Sequence, residues 1–109
     1  MDVRLAQLQD IDQLVRLRRD FTLEDAPEAE IVGDYDGDCR GFLERALKGE
    51  RWCVFVAEKD GSVVSHVFVE LVDKVPRPTR ETAQWGYVTN VYTVPAERGR
   101  GSVALCWKR

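Results

Sequence analysis

Two runs rich in β-branched and aromatic residues, Trp52–Glu58 and Ser62–Val72, stand either side of Lys59-Asp60-Gly61-Ser62. Asp-Gly suits a two-residue hairpin loop, because both positions accept the positive φ that the tight turn demands. The two runs are therefore expected to pair as an antiparallel hairpin. A third β-type run, Tyr87–Val94, closes at Pro95, after a connection over 73–86 that carries Pro76 and Pro78. The short stretch Val3-Arg4-Leu5 reads as an opening strand.

Two amphipathic helices are expected between the opening strand and the hairpin. Ile11, Leu14, Val15 and Phe21 fall on one face at helical spacing, with Asp12, Arg16 and Arg19 elsewhere, so the spacing predicts a helix over 11–22. Asp10 stands at its cap position, with Gln13 three residues on, where a capping box would place it. Phe42, Leu43, Ala46 and Leu47 define the second helix, and Gly49 sits where a helix ends. The intervening residues 24–38 carry seven acids and no base, and with Pro27, Gly33 and Gly37 they read mostly as loop. The order is strand, helix, helix, then three strands: an α/β (α+β) chain with a mostly antiparallel sheet flanked by helices.

Composition narrows the function classes. A chain of 109 residues makes one domain, and 44% hydrophobic with 32% charged residues is ordinary for a folded one. The net charge of -3 argues against nucleic acid or an anionic membrane as the main partner. No run approaches the roughly 18 apolar residues that span a bilayer, and the opening residues do not resemble a secretory signal. Cys39, Cys53 and Cys106 are widely spaced and odd in number, which fits reduced thiols and a cytoplasmic location. No metal site is expected. Asp34-x-Asp36-x-Asp38 has a calcium-loop spacing, but Cys39 stands where that loop needs glycine and Arg45 where it needs glutamate.

The segment that carries chemistry is Asn90-Val91-Tyr92-Thr93-Val94-Pro95-Ala96-Glu97-Arg98-Gly99-Arg100-Gly101. A strand runs into a proline, then into a loop with two glycines and two arginines. Such a loop can turn several N–H groups toward one anion, and a following helix start would add its dipole. Diphosphate is the natural guest, although an ordinary charged turn has the same composition. A dinucleotide fingerprint and a nucleotide phosphate loop both fail on their missing residues.

This segment resembles the signature of the GNAT N-acetyltransferases, in which a strand ending in Val-x-Pro leads to Arg/Gln-x-x-Gly-x-Gly/Ala. Thr93 takes the place of that valine, and Val103 stands where glycine or alanine is usual. The element order and the Trp-x-Val-Phe-Val-Ala-Glu strand turning at Asp-Gly are similar to the same family, over residues 3 to 101. The resemblance implies a partial GNAT acyl-CoA N-acyltransferase fold, with 1–109 as a single, C-terminally incomplete domain. It implies acetyl-CoA as co-substrate, with Val91, Tyr92 and Thr93 along the pantetheine arm and Arg98, Gly99, Arg100, Gly101, Ser102 and Val103 at the diphosphate. The acceptor would be a small-molecule or protein amine, and the acids between the two helices would border its site.

The general base is not apparent. Asn90 stands near the family's base carboxylate but cannot accept a proton, and Glu70 on the neighbouring strand is the other weak candidate; both also read as structural or solvated residues. His66, the only histidine, reads as a packed residue sharing a face with Val64, Phe68 and Glu70. Tyr92 and Trp85 read as core or rim aromatics. The alternative to an acetyltransferase is a truncated, inactive fragment with weak CoA binding. In either case the uncharged strand 87–94 is expected to have an exposed edge through which the chain self-associates.

Overall fold

The computed structural model describes residues 2–79 and 84–98. Strand β1 (Asp2–Leu5) leads through a 3-10 turn (Leu8–Asp10) into helix α1 (Ile11–Asp25). Helix α2 (Tyr35–Lys48) follows, then strands β2 (Trp52–Lys59), β3 (Ser62–Asp73) and β4 (Gln84–Thr93), and a 3-10 turn over Pro95–Glu97. The strands form one sheet in the order β1-β2-β3-β4, every neighbour antiparallel. This is the expected mixed α/β architecture. Among the described residues, no helix is long and apolar enough to cross a membrane.

Both helices lie on one face of the sheet. Ile11, Leu14, Val15 and Leu17 of α1 and Leu43 of α2 pack on Val54, Val56, Val63, Phe68 and Tyr92. Alternate residues of the strands face the other way, where Ala57 and Val67 are buried with Val3, Phe55, Val64, Val69 and Val88 around them. The period of two along each strand and of 3.6 along each helix places these side chains, as the sequence suggested.

The hairpin turn forms at Asp60 and Gly61, with φ of 52° and 80°. Other boundaries differ from expectation. Helix α2 starts at Tyr35, inside the acidic stretch read as loop, because the Asp34 side chain accepts from the Gly37 N–H at 3.1 Å. Strand β4 begins at Gln84, three residues before the expected Tyr87. Gly49 does end α2, donating to the Arg45 carbonyl at 3.0 Å, but its φ of -94° is one any residue adopts.

The capping reading at Asp10 is corrected. Its carboxylate makes no bond to the start of α1. It accepts instead from Arg4 Nη1 and Nη2, at 2.7 and 2.9 Å, and from the Gln7 N–H at 2.7 Å. Arg4 also reaches Glu58 Oε2 at 2.5 Å, so one guanidinium joins β1, the turn before α1 and β2. Gln13, assigned to the same box, spans to the sheet, where its Oε1 accepts from the Val63 N–H at 2.8 Å.

Among the described residues, two bulges interrupt the sheet. On β3, Glu58 faces Val63 and Ala57 faces Ser65, so Val64 is an extra residue. The bulge sends Val64 to the far face and leaves His66 with Phe68 on the helix face, separating two residues that strict alternation puts together. On β4, Phe68 faces Thr89 and His66 faces Tyr92, so Asn90 and Val91 together oppose Val67. Asn90 is in the left-handed region, at φ 54°. Asparagine tolerates that conformation better than most side chains.

Candidate functional site

The site builds outward from the β4 bulge. One extra residue reverses the alternation, so Tyr92 turns into the helix-side core while Thr93 turns the other way. The Tyr92 ring stacks on Phe21 of α1, centroids 5.0 Å apart and planes at 16°. Burial pushes the Tyr92 phenol above its usual pKa, with the nearby Glu24 charge adding to the effect. The Ser65 hydroxyl donates to the Tyr92 carbonyl at 3.0 Å and lies 3.0 Å from the Thr93 hydroxyl. Val94 N–H donates to the Val64 carbonyl at 2.9 Å, carrying the pairing one step past the strand.

Pro95 then starts the 3-10 turn that ends at Glu97 and delivers Arg98. Arg98 folds back on the strand: its Nε donates to the Thr93 carbonyl at 3.0 Å, and its guanidinium lies 5.6 Å over the Tyr92 ring. One remaining N–H meets Glu24 in the last turn of α1. That partner holds the Glu24 carboxyl below its ordinary pKa and raises Arg98 further. Lys59, at the hairpin turn, reaches Glu97 Oε1 at 2.9 Å. A half-exposed guanidinium therefore sits at the end of β4, paired with Glu24.

Of the residues proposed to hold a cofactor, the structure brings Val91, Tyr92, Thr93 and Arg98 together at this strand end. Tyr92 is core, while Val91 is exposed. Gly99, Arg100, Gly101, Ser102 and Val103 lie outside the described residues. The described part sets the Arg98 guanidinium over the buried Tyr92 ring and on the Thr93 carbonyl, with the exposed Val91 next along the strand.

The catalytic candidates sit apart in kind. Asn90 is the left-handed residue of the bulge, and its carbonyl is taken by His66 Nδ1 at 2.7 Å. Glu70 faces Tyr87 across the β3–β4 ladder and is paired with Arg51 Nε at 3.0 Å. Tyr87 and Trp85 are about half exposed, and their register with Glu70 and Val72 puts all four on the helix-bearing face. Of the acids expected between the helices, Asp34 caps α2, and Asp36, in the first turn of α2, pairs with Arg19. Among the described residues, no three His, Cys, Asp or Glu side chains gather as a metal site.

Two members of this site were invisible to sequence reasoning. Glu24 lies 74 positions from Arg98, and nothing in a run of seven acids marks which one meets the arginine. His66 was read as packed, and it is wholly buried, but its bond to the bulge depends on a register that alternation alone does not reveal.

No family model matches the sequence, and no curated protein matches it either. Solved structures do. A predicted acetyltransferase from Clostridium acetobutylicum, crystallised with acetyl-CoA, is 26% identical with a TM-score of 0.79, covering 99% of this chain and 69% of that one. A GCN5-related N-acetyltransferase from Ralstonia eutropha is 21% identical with a TM-score of 0.76, covering 99% and 71%. An aminoglycoside antibiotic 6'-N-acetyltransferase from Acinetobacter haemolyticus is 15% identical with a TM-score of 0.73, covering 99% and 67%.

Proposed function

This chain has the fold of the GNAT N-acetyltransferases, and from that premise we propose that the end of β4 binds acetyl-coenzyme A for acetyl transfer to an amine. The observation that carries the reading is Arg98, pinned to Thr93 and Tyr92 at the end of the bulged strand. Its fork suits a diphosphate oxygen pair. From there the pantetheine arm runs back along Thr93, Tyr92 and Val91, with Gly99, Arg100, Gly101, Ser102 and Val103 completing the diphosphate loop. Acetyl-CoA supplies an activated thioester. The strand's own part is to align that arm and to exclude water around it.

The acceptor is a small-molecule or protein amine approaching the helix-bearing face, where Trp85, Tyr87 and Glu70 lie. Acids at the end of α1 and in α2 draw a cationic amine toward that side. On this reading Glu70, released from Arg51, takes the amine proton through water, while Asn90 orients and does not titrate. A cytoplasmic location belongs to the same reading, as does pairing of β4 with a second copy of the chain through its outer edge. Light scattering at rising concentration is expected to show that self-association, and a concentration-independent monomer would count against it.

A second reading is favoured by one feature: β4 carries no Asp or Glu between Gln84 and Thr93. General acid–base help is typically worth roughly 10²–10⁴-fold, so a chain lacking it would bind CoA yet turn over slowly. Calorimetric titration with acetyl-CoA, paired with a thiol-release assay over a panel of amines, separates the two. Binding with release supports the acetyltransferase, and binding without release supports the second reading. Absence of binding overturns both.

A further inference from the structure

The single histidine poses a physical question. His66 is fully buried, its ring stands edge-on to Phe68 at 5.2 Å and tilted against Tyr92 at 5.9 Å, and its Nε2 has no hydrogen-bond partner among the described residues. A buried nitrogen without a partner costs stability, whereas an apolar side chain of similar shape would not. Packing alone therefore does not account for an imidazole here. The ring's Nδ1 does have a partner: it bonds the Asn90 carbonyl at 2.7 Å.

That carbonyl belongs to the residue whose left-handed φ of 54° makes the β4 bulge. A carbonyl can only accept, so Nδ1 carries the proton and donates. Burial, with Arg18 adding to it, holds the imidazole pKa down to about 4, which keeps the ring neutral and its single proton on Nδ1 near pH 7. The bulge residue in turn sets which way Val91, Tyr92 and Thr93 face. With the diphosphate at Arg98 and the arm running back along the strand, the acyl end emerges at Asn90.

We propose that His66 is a positioning residue: it clamps the Asn90 carbonyl, fixes the left-handed bulge, and so sets the bed on which the acyl end of the cofactor lies. This rests on the acetyl-CoA reading above. The clamp is local, rigid and out of reach of solvent, so it acts before any ligand arrives. It does not touch the reacting atoms.

Two arms test it. In the first, acetyl-CoA is titrated calorimetrically into the parent chain and the H66L, H66N and H66L/N90G variants. His66→Leu is expected to weaken affinity about ten-fold, the worth of one lost hydrogen bond. His66→Asn, whose amide can donate from nearly the same place, should stay within a few-fold of the parent. Adding Asn90→Gly to H66L should restore binding, because glycine takes positive φ without a clamp. Parent-like affinity in H66L, or no rescue by glycine, overturns the proposal. In the second arm, NMR of the ligand-free chain reads the imidazole nitrogens and the Asn90 carbon shifts. The expected result is an Nδ1–H tautomer and a left-handed Asn90 that turns extended in H66L. An Nε2–H tautomer, or an Asn90 unchanged by H66L, overturns the clamp even if the parent binds acetyl-CoA. If the parent does not bind, the functional reading falls and the NMR arm still decides whether His66 holds the bulge.

Discussion

Replacing Arg98 with glutamate is expected to lower the affinity for coenzyme A by about 10- to 100-fold, with little change in melting temperature. The guanidinium is pinned from behind by the Thr93 carbonyl and the Tyr92 ring, so it meets an anion without first paying to order a long side chain. A carboxylate there would set a second negative charge beside Glu24 and repel the diphosphate. Stability should barely respond, because the Arg98–Glu24 pair is exposed and such pairs contribute little. The companion variant is Glu24→Gln, which removes the competing carboxylate and should leave affinity equal or tighter. Raising salt should weaken the parent more than Arg98→Glu, since exposed charges are screened over roughly 8 Å at physiological ionic strength. Equal affinities for parent and Arg98→Glu would remove Arg98 from the site.

The second large effect concerns Asp10. Asp10→Ala removes three hydrogen bonds to a carboxylate that is almost wholly buried, and strands the Arg4 guanidinium beside Glu58 alone. Breaking such a network is expected to cost about 2–4 kcal/mol, or roughly 10–20 °C in melting temperature for a domain of this size.

The pH dependence carries a signature. Arg4 holds the Asp10 carboxyl below its ordinary value of 3.8. The ionised form is therefore favoured by folding, and its stabilisation is present above that value and lost as pH falls through the lower, folded-state one. His66 acts in a separate window. Its folded pKa near 4 lies below the ordinary 6.5, so the unfolded chain takes up the proton first, and stability falls as pH drops from about 6.5 to about 4. Melts between pH 2.5 and 7.5 should show both limbs in the parent and a reduced lower limb in Asp10→Ala. An Asp10→Ala variant that melts with the parent at pH 7 would show that the network contributes nothing.

Several elements could be read directly from the residues. The Asp60-Gly61 turn depends on the φ preferences of two adjacent residues, so it formed where expected. The inward face of α1 followed from spacing, although Leu17 also belongs to it. The start of α2 was legible in principle, since Asp34 is a cap residue; the density of acids and Gly33 and Gly37 masked it. At the site, the strand ending in Pro95 and the arginine after it were readable as a pattern. The ring under Arg98 and the carboxylate against it were not, because both depend on how α1 packs on β4.

Sequence by itself determined the order of elements, the hairpin and the two amphipathic faces. All of these rest on interactions among residues a few positions apart. Tertiary structure decided the rest: that Asp10 serves Arg4 and Gln7 rather than α1, that Gln13 serves Val63, and that Val64 and Asn90 are bulges. A bulge is a mismatch between two strands, and neither strand alone records it. Once one extra residue enters β4, every later side chain changes face, and Tyr92 goes to the core while Val91 stays exposed. The buried imidazole that holds this mismatch in place is 24 residues away, where only the folded sheet brings it to the Asn90 carbonyl.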